Sequence, residues 1–264
     1  DINTVLALGD NFYHTGINGT CESERFDQTW NNVYVAPSLM VPWLVNAGNH
    51  DHVGNVSAQI AYTHISDRWI FPSLYHKRTL YSDDHTVSVD VILMDTTTYT
   101  GVNSGTDYPA DPQDPAQQQW VEQALKYSIA DYIIVGAHYP MYSACDHGNT
   151  LTMLNHIKPL LDTYGAHMMN GHDHCAEHFV VDGTNYWLNG IGHGCCYTSP
   201  NKDSIPPGAM RYLLSNENAT SDIDDDGYEI GVNGTVGGFS SVYITKQNMT
   251  VRFHDQNGTV MYTS

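Results

Sequence analysis

Gly171-His172-Asp173-His174 follows, after Asn170, on the short run His167-Met168-Met169. In an extended segment alternate side chains point the same way, so this one loop can give an imidazole to each of two adjacent cations. Few structural needs place two histidines in this way. Three other apolar runs stop alike: Thr4 to Leu8 at Gly9-Asp10, Pro42 to Ala47 at Gly48-Asn49-His50, and Tyr132 to Val135 at Gly136-Ala137-His138. Open α/β sheets bind ligands beyond the carboxyl ends of their strands, where loops from several strands converge. Four strand ends that each carry a potential ligand therefore point to an α/β layered fold and to a site at one edge of it.

Helical stretches alternate with these runs. Phe26, Trp30, Val33 and Tyr34 recur at helical spacing between Glu22 and Val35, before Pro37. Ile60, His64, Ile65 and Trp69 predict a second helix, and Thr86 to Met94 a strand ending at Asp95. Pro115 opens a helix whose Trp120, Ala124, Leu125 and Ile129 share a face, and Leu154, Ile157, Leu160 and Leu161 form another. Tyr186 to Leu188, Ser240 to Thr245 and Thr250 to His254 read as short strands. Gly101 to Pro115 has no period and is expected to be a long functional or mobile loop. With 264 residues, 41% of them hydrophobic, and no repeat or linker, one domain spanning 1–264 is expected.

Acidic residues outnumber basic ones 29 to 10, a formal charge of -19, and no Lys/Arg cluster could neutralise a nucleic-acid backbone. An acidic protein that handles an anionic phosphate needs a local positive charge, which bound metal ions supply. Six N-x-[ST] sequons, at Asn18, Asn55, Asn218, Asn233, Asn248 and Asn257, suggest a secreted or lysosomal/endosomal glycoprotein. No apolar stretch approaches the ~18 residues of a membrane span. Cys21, Cys145, Cys175, Cys195 and Cys196 allow one or two disulfides, and the adjacent Cys195 and Cys196 are not expected to bond each other.

Singly, most of the strand-end residues have plainer readings. Asp10 could cap a helix while Tyr13, three residues on, packs against it; alternatively the carboxylate bridges two cations and the phenolate serves a strongly Lewis-acidic one. Asn49 could form an Asx turn or lend its amide oxygen to a divalent ion, leaving His50 free to donate a proton. His138 could be a satisfied core histidine or an imidazole ligand. Only the histidine pair at 172 and 174 favours ligation unaided; the others gain weight from their order. Asp222, Asp224, Asp226 and Gly227 match positions of a calcium loop, but Asn233 replaces its bidentate glutamate, so a solvated acidic insertion is the expectation. His193, in the Gly192-His193-Gly194 turn shortly after Gly171-His172-Asp173-His174, could approach the site, but the expectation is that it packs rather than acts.

The ordered segments GDNFY, GNHD, AHYP and GHDH, with GNHDHVGNVSAQIAY, RWIFPS, LLDTYG, GGFSSVYIT and MTVRF, resemble the purple acid phosphatases of the small tartrate-resistant type. These are calcineurin-like metallophosphoesterases, and the likeness runs over nearly the whole chain. It implies a four-layer αββα sandwich of two mixed sheets flanked by helices. It further implies that Asp10 bridges two ions, that Tyr13 and His174 hold a ferric one, and that Asn49, His138 and His172 hold a divalent iron, zinc or manganese. His50 and His147 match the histidines that contact phosphate and assist the leaving group, and Asn55 matches a glycosylated asparagine. Gly101 to Pro115 corresponds to a loop that restrains the site until an activating protease cuts it.

The implied reaction is acid hydrolysis of phosphate monoesters, small ones or phosphoproteins, by a metal-activated hydroxide without a phosphoenzyme. No nucleic-acid or membrane partner is expected, and the chain is expected to be a monomer. The family's first ligand, an aspartate in an Asp-x-Gly turn, would fall before residue 1. The chain is therefore expected to be N-terminally incomplete, with six of seven ligands and without the first strand. A phosphodiesterase or protein phosphatase of the same superfamily is the alternative enzyme, although Tyr13 argues against it. A non-catalytic secreted glycoprotein that keeps the fold is the alternative from another class.

Overall fold

The structure, a computed structural model, describes residues 2–103, 108–217 and 231–264. The acidic segment with Asp222, Asp224, Asp226 and Gly227, and the sequon at Asn218, lie outside the described residues.

A seven-stranded sheet forms the centre, in the order β10 (Met210–Leu214), β8 (Ala176–Val181), β9 (Thr184–Asn189), β7 (His167–Asn170), β6 (Tyr132–Ala137), β5 (Ser88–Leu93) and β4 (His76–Tyr81). Strands β5, β6, β7 and β9 run parallel; β4 and β8 run against them, and the edge strand β10, antiparallel to β8, shares the direction of the four. The second layer is not one sheet but two. Parallel β1 (Val5–Leu8), β2 (Trp43–Asn46) and β3 (Trp69–Ile70) form one, and antiparallel β11 (Gly238–Ile244), β12 (Met249–Asp255) and β13 (Val260–Thr263) the other.

Side-chain alternation sorts the layers, since successive residues of a strand face opposite sides. Leu6, Leu8 and Leu44 pack with Val89, Val91, Leu93, Ile134, Met169, Val251 and Phe253 in the core between the sheets. From the same strands, Ile92, Ile133, Val135 and Met168 face the other way. They meet Tyr99 of α3 (Thr96–Thr100), Val121 and Leu125 of α4 (Pro115–Lys126), Met153 of α5 (Leu151–His156) and Leu161 of α6 (Lys158–Tyr164). On the outer side of β1 and β2, Val5, Ala7, Trp43 and Val45 lie under Phe26, Trp30, and Val56, Ala58 and Tyr62 of α2 (Val56–Tyr62). Helix, sheet, sheet, helix is the layer order that follows.

Several elements differ from the sequence reading. The helix between Glu22 and Val35 shrinks to one wide turn, Asp27–Asn31, because only Phe26 and Trp30 find a core, while Val33 and Tyr34 are exposed. Trp69 belongs to β3 rather than to a helix, where its buried indole Nε1 donates to Gln59 O at 3.0 Å. Ile129 lies beyond α4 and is 99% exposed. Pro159, which lacks an N–H, occupies the first turn of α6, so the run from Leu154 to Leu161 is two helices meeting at Ile157.

Cys145 is bonded to Cys175. Contrary to the expectation from their adjacency, Cys195 and Cys196 are bonded to each other, across a cis peptide that leaves their Cα atoms 3.0 Å apart. No described helix is long and apolar enough to cross a membrane. The asparagines of the described sequons, Asn18, Asn55, Asn233, Asn248 and Asn257, are all exposed.

Candidate metal centre

Parallel pairing puts the carboxyl ends of β1 and β2 at one edge and those of β6 and β7 at another, and His138 joins the two edges. Its Nδ1 lies 2.9 Å from Leu8 O at the end of β1. Asp10 and His172 adopt left-handed backbone angles, φ 50° and 72°, which cost a non-glycine residue about 1–3 kcal/mol each. Strain of that kind survives where surrounding contacts over-determine it. The glycines before the ligands have a steric reason: a Cβ on Gly9 would lie 2.7 Å from His138 Cγ, and one on Gly48 2.8 Å from His138 Cε1.

Six of the predicted ligands form one contact chain. Asp10 Oδ2 lies 3.2 Å from the Tyr13 hydroxyl and 3.1 Å from His138 Nε2. The Tyr13 hydroxyl lies 3.2 Å from His174 Nε2, and His138 Nε2 lies 3.0 Å from Asn49 Oδ1. The His138 and His172 rings are 4.9 Å apart, and Asp10, His138 and His172 each have a ligand atom within 4.8 Å of the others. Asp10 thus stands between two groups: Tyr13 and His174 on one side, Asn49, His138 and His172 on the other.

His50 and His147 flank these groups. His50 donates its backbone N–H to Asp10 Oδ1 at 2.9 Å, its Nδ1 lies 2.7 Å from His14 O, and its ring is 4.6 Å from that of Tyr13. His147 stacks on His172 at 4.2 Å, and its buried Nδ1 has no hydrogen-bond partner among the described residues. Asn55 lies apart, capping α2 by accepting from Ala58 N at 3.2 Å.

Charges in the cluster are interlocked. Burial works against ionisation of Asp10, yet His138 and His50 outweigh it and hold the carboxyl at about 2. Burial likewise opposes protonation of His138, but Asp10 raises its pKa above the ordinary histidine value. His172 is pushed well below that value by burial and by neighbouring imidazoles. Burial, then the Asp10 charge, pushes the Tyr13 phenol well above its usual range, so only a strong Lewis acid could take its proton's place. Phenol, imidazole and carboxylate on one side suit a ferric ion, and an amide oxygen with two imidazoles on the other suits a divalent one. The donor set fits a metal pair.

Residues 1–176 match the family described as calcineurin-like phosphoesterase. The chain belongs to that family. "Tartrate-resistant acid phosphatase type 5" of Homo sapiens is 35% identical to it over 268 residues, covering 98% of this chain and 77% of that protein. "Purple acid phosphatase 3" of Arabidopsis thaliana is 28% identical, covering 99% of this chain and 68% of that one. Among solved structures, GAP50, "the anchor in the inner membrane complex of Plasmodium", superposes with a TM-score of 0.70 at 18% identity, over 99% of this chain and 77% of that one. A purple acid phosphatase from yellow lupin seeds gives 0.59 at 15% identity, over 100% of this chain and 46% of that one. At such identities the structural likeness shows the calcineurin-like phosphoesterase fold alone.

Two residues at this phosphoesterase site, Asp51 and Tyr108, escaped the sequence reading, and a third, His193, was raised there only as one that could approach it. Asp51, last of the GNHD segment, is fully buried and gathers the backbone on which Asp10 sits. Tyr108, from the loop after Gly101, sets its hydroxyl 3.3 Å from His172 Nε2. His193 does reach the site and packs against Tyr13 itself, at 3.9 Å between ring centroids. Burial, with His174 beside it, lowers the His193 pKa to about 4.

Behind His147, the Ser143 hydroxyl donates to Asp173 Oδ2 at 2.6 Å and lies 3.2 Å from Glu177 Oε1. One hydroxyl proton cannot serve both carboxylates. Burial, then the Asp173 charge, pushes Glu177 well above the usual range, so Glu177 holds a proton and donates it towards Ser143. A carboxyl with a raised folded pKa favours folding at low pH, and that contribution is lost as pH climbs above the ordinary glutamate value. Glu177→Gln mimics the protonated form and is expected to raise Tm at pH 7 by roughly 2–4 °C, and by less at pH 4. Thermal melts at the two pH values check this, and an equal gain at both would refute the shared-proton account.

Proposed function

We propose that this chain is an acid phosphatase that hydrolyses phosphate monoesters at a ferric/divalent pair. Tyr13 and His174 would hold the ferric ion, Asn49, His138 and His172 a divalent iron, zinc or manganese, and Asp10 both. The observation that carries the proposal is the convergence of donor atoms from four strand ends to within about hydrogen-bonding distance of one another. Two such ions supply the Lewis acidity that activates a water and neutralises phosphate charge.

The chain's own residues divide the remaining work. Asp10 keeps the two halves in register, and the His14 carbonyl fixes the orientation of His50. His50, against Tyr13, and His147, against His172, offer imidazole N–H groups to a bound phosphate, and His147 is the group assigned to protonate the leaving oxygen. A positioned general acid of this kind is worth about 10²–10⁴ in rate. The contact of Tyr108 with His172 supports a loop that restrains the site until a protease cuts it.

Tyr13 decides the test. The metal-loaded protein is expected to show a visible charge-transfer band that Tyr13→Phe removes, and to turn over nitrophenyl phosphate at least tenfold faster than the bis-ester. A band that survives Tyr13→Phe would refute the ferric-phenolate assignment, and a preference for the bis-ester would move the chain to the phosphodiesterases of the same superfamily.

A further inference from the structure

The Tyr13 ring is held from two directions, by the helix that begins at Asn49 and by a turn that carries no assigned ligand. His50, at the start of α1 (Asn49–Val53), is 4.6 Å away at 49°, and His193 is 3.9 Å away at 43°. His193 comes from the turn after β9, far from Tyr13 in the chain. That turn is anchored before His193, where Gly190 N donates to Cys175 O at 3.0 Å and Ile191 O accepts from Gly238 N at 2.9 Å, and after it, where Tyr197 N donates to His174 O at 3.1 Å. His193 also lies 5.5 Å from the His174 ring, so it touches both residues assigned to the ferric ion.

The phenol needs such a support. Tyr13 is only partly buried, and its hydroxyl reaches Asp10 and His174 at 3.2 Å each, the long end of hydrogen bonding. A small swing of the ring would lose both contacts. An aromatic face at 3.9 Å removes the space for that swing and adds dispersion contacts that do not compete for the hydroxyl.

We propose that His193 is a positioning residue: it packs on the Tyr13 ring and fixes the direction in which the phenolic oxygen points. The inference concerns this chain's own packing and rests on the metal-site reading only for its spectral and kinetic consequences. It attributes to His193 no proton transfer and no ligation, so a ring without nitrogen can do the same work.

Three variants test it, His193→Ala, His193→Phe and His193→Leu, each checked for a wild-type melting profile. In the metal-free protein, the Tyr13 ring resonances are assigned by their loss in Tyr13→Phe. His193→Ala is expected to speed Tyr13 ring flipping at least tenfold, with His193→Phe restoring the slow rate and His193→Leu falling between. In the metal-loaded protein, His193→Ala is expected to shift and weaken the visible band and to lower kcat about tenfold with KM unchanged, and His193→Phe to recover both. Unchanged flipping in His193→Ala overturns the proposal, and so does a loss in His193→Phe equal to that in His193→Ala. A wild-type protein without a visible band defeats the ferric reading alone, because the ring-flip measurement still decides the role of His193.

Discussion

Asp51→Ala is expected to cost about 3–5 kcal/mol of stability and to lower kcat/KM by at least about 10²-fold, although Asp51 is assigned no contact with substrate. Its carboxylate accepts from Gly48 N at 2.9 Å, Asn11 N at 3.0 Å, Asn11 Nδ2 at 3.1 Å, Phe12 N at 3.2 Å and Gln59 Nε2 at 2.9 Å. Two of these donors are the backbone amides that directly follow Asp10, and a third belongs to the glycine that precedes Asn49. A single side chain thus ties the loop after β1 to the loop after β2.

Alanine leaves these buried donors without an acceptor, and each unmet one costs about 1–3 kcal/mol before relaxation. The loop must then shift to find water, and Asp10 shifts with it. Burial and the nearby Asp10 charge raise the Asp51 pKa, so the carboxylate is kept for the donors it organises, at some electrostatic cost. Asp51→Asn, which retains one acceptor oxygen, is expected to fall between wild type and alanine. Denaturant unfolding, metal content and kcat/KM together check the prediction. Wild-type metal content and activity in Asp51→Ala would show that the loops hold themselves.

The readability of the chain follows the range of the forces involved. Strands β2, β5, β6 and β7 were legible because they are buried on nearly every residue and read as apolar runs, and the glycines at the ends of β2, β6 and β7 mark where the candidate ligands begin. Pro115 was legible as a helix start because Asp114 caps that helix locally, accepting from Gln117 N at 3.0 Å. Strand β4 was not, because His76-Lys77-Arg78-Thr79-Leu80-Tyr81 is a half-exposed edge with no apolar signature. Strand β8 hid a buried Glu177 and His178 whose partners, Ser143 and Tyr262, are remote in sequence.

The site divides in the same way. Asp10, Asn49, His138, His172 and His174 could be named as candidate ligands because each follows the end of a strand. The roles of Asp51, Tyr108 and His193 could not be read, since each depends on a neighbour that only the folded chain supplies. Asp51 did carry a usable signal: an acidic residue directly after a ligand segment, where a solvated carboxylate has no reason to be. The bond between Cys195 and Cys196 had no such signal.

Loading the site with metal is expected to release about two protons per chain near neutral pH, to raise Tm, and to restore at least about 10³-fold in turnover to a stripped protein. Without ions, the protein holds its donors together with protons instead. His138, raised by Asp10, carries one against the Asp10 carboxylate 3.1 Å away, and Tyr13 keeps another on its hydroxyl. His172, held well below the ordinary value, contributes none. Ligation demands the free base of each, so the protons of His138 and Tyr13 must leave.

The signs of the linkage set the pH behaviour of the stripped protein. The raised pKa of His138 gives stability that is present below the ordinary histidine value and is lost as pH rises through the folded one. The lowered pKa of Asp10 gives stability that is present above 3.8 and is lost as pH falls towards about 2. Stripped protein is therefore expected to be most stable between those limits, and metal-loaded protein to lose the alkaline decline because ions replace the proton on His138. Calorimetric titration in two buffers of different ionisation enthalpy counts the protons, and melts from pH 4 to 9 trace the window. A heat of binding that does not depend on the buffer would mean that His138 and Tyr13 do not meet the metal.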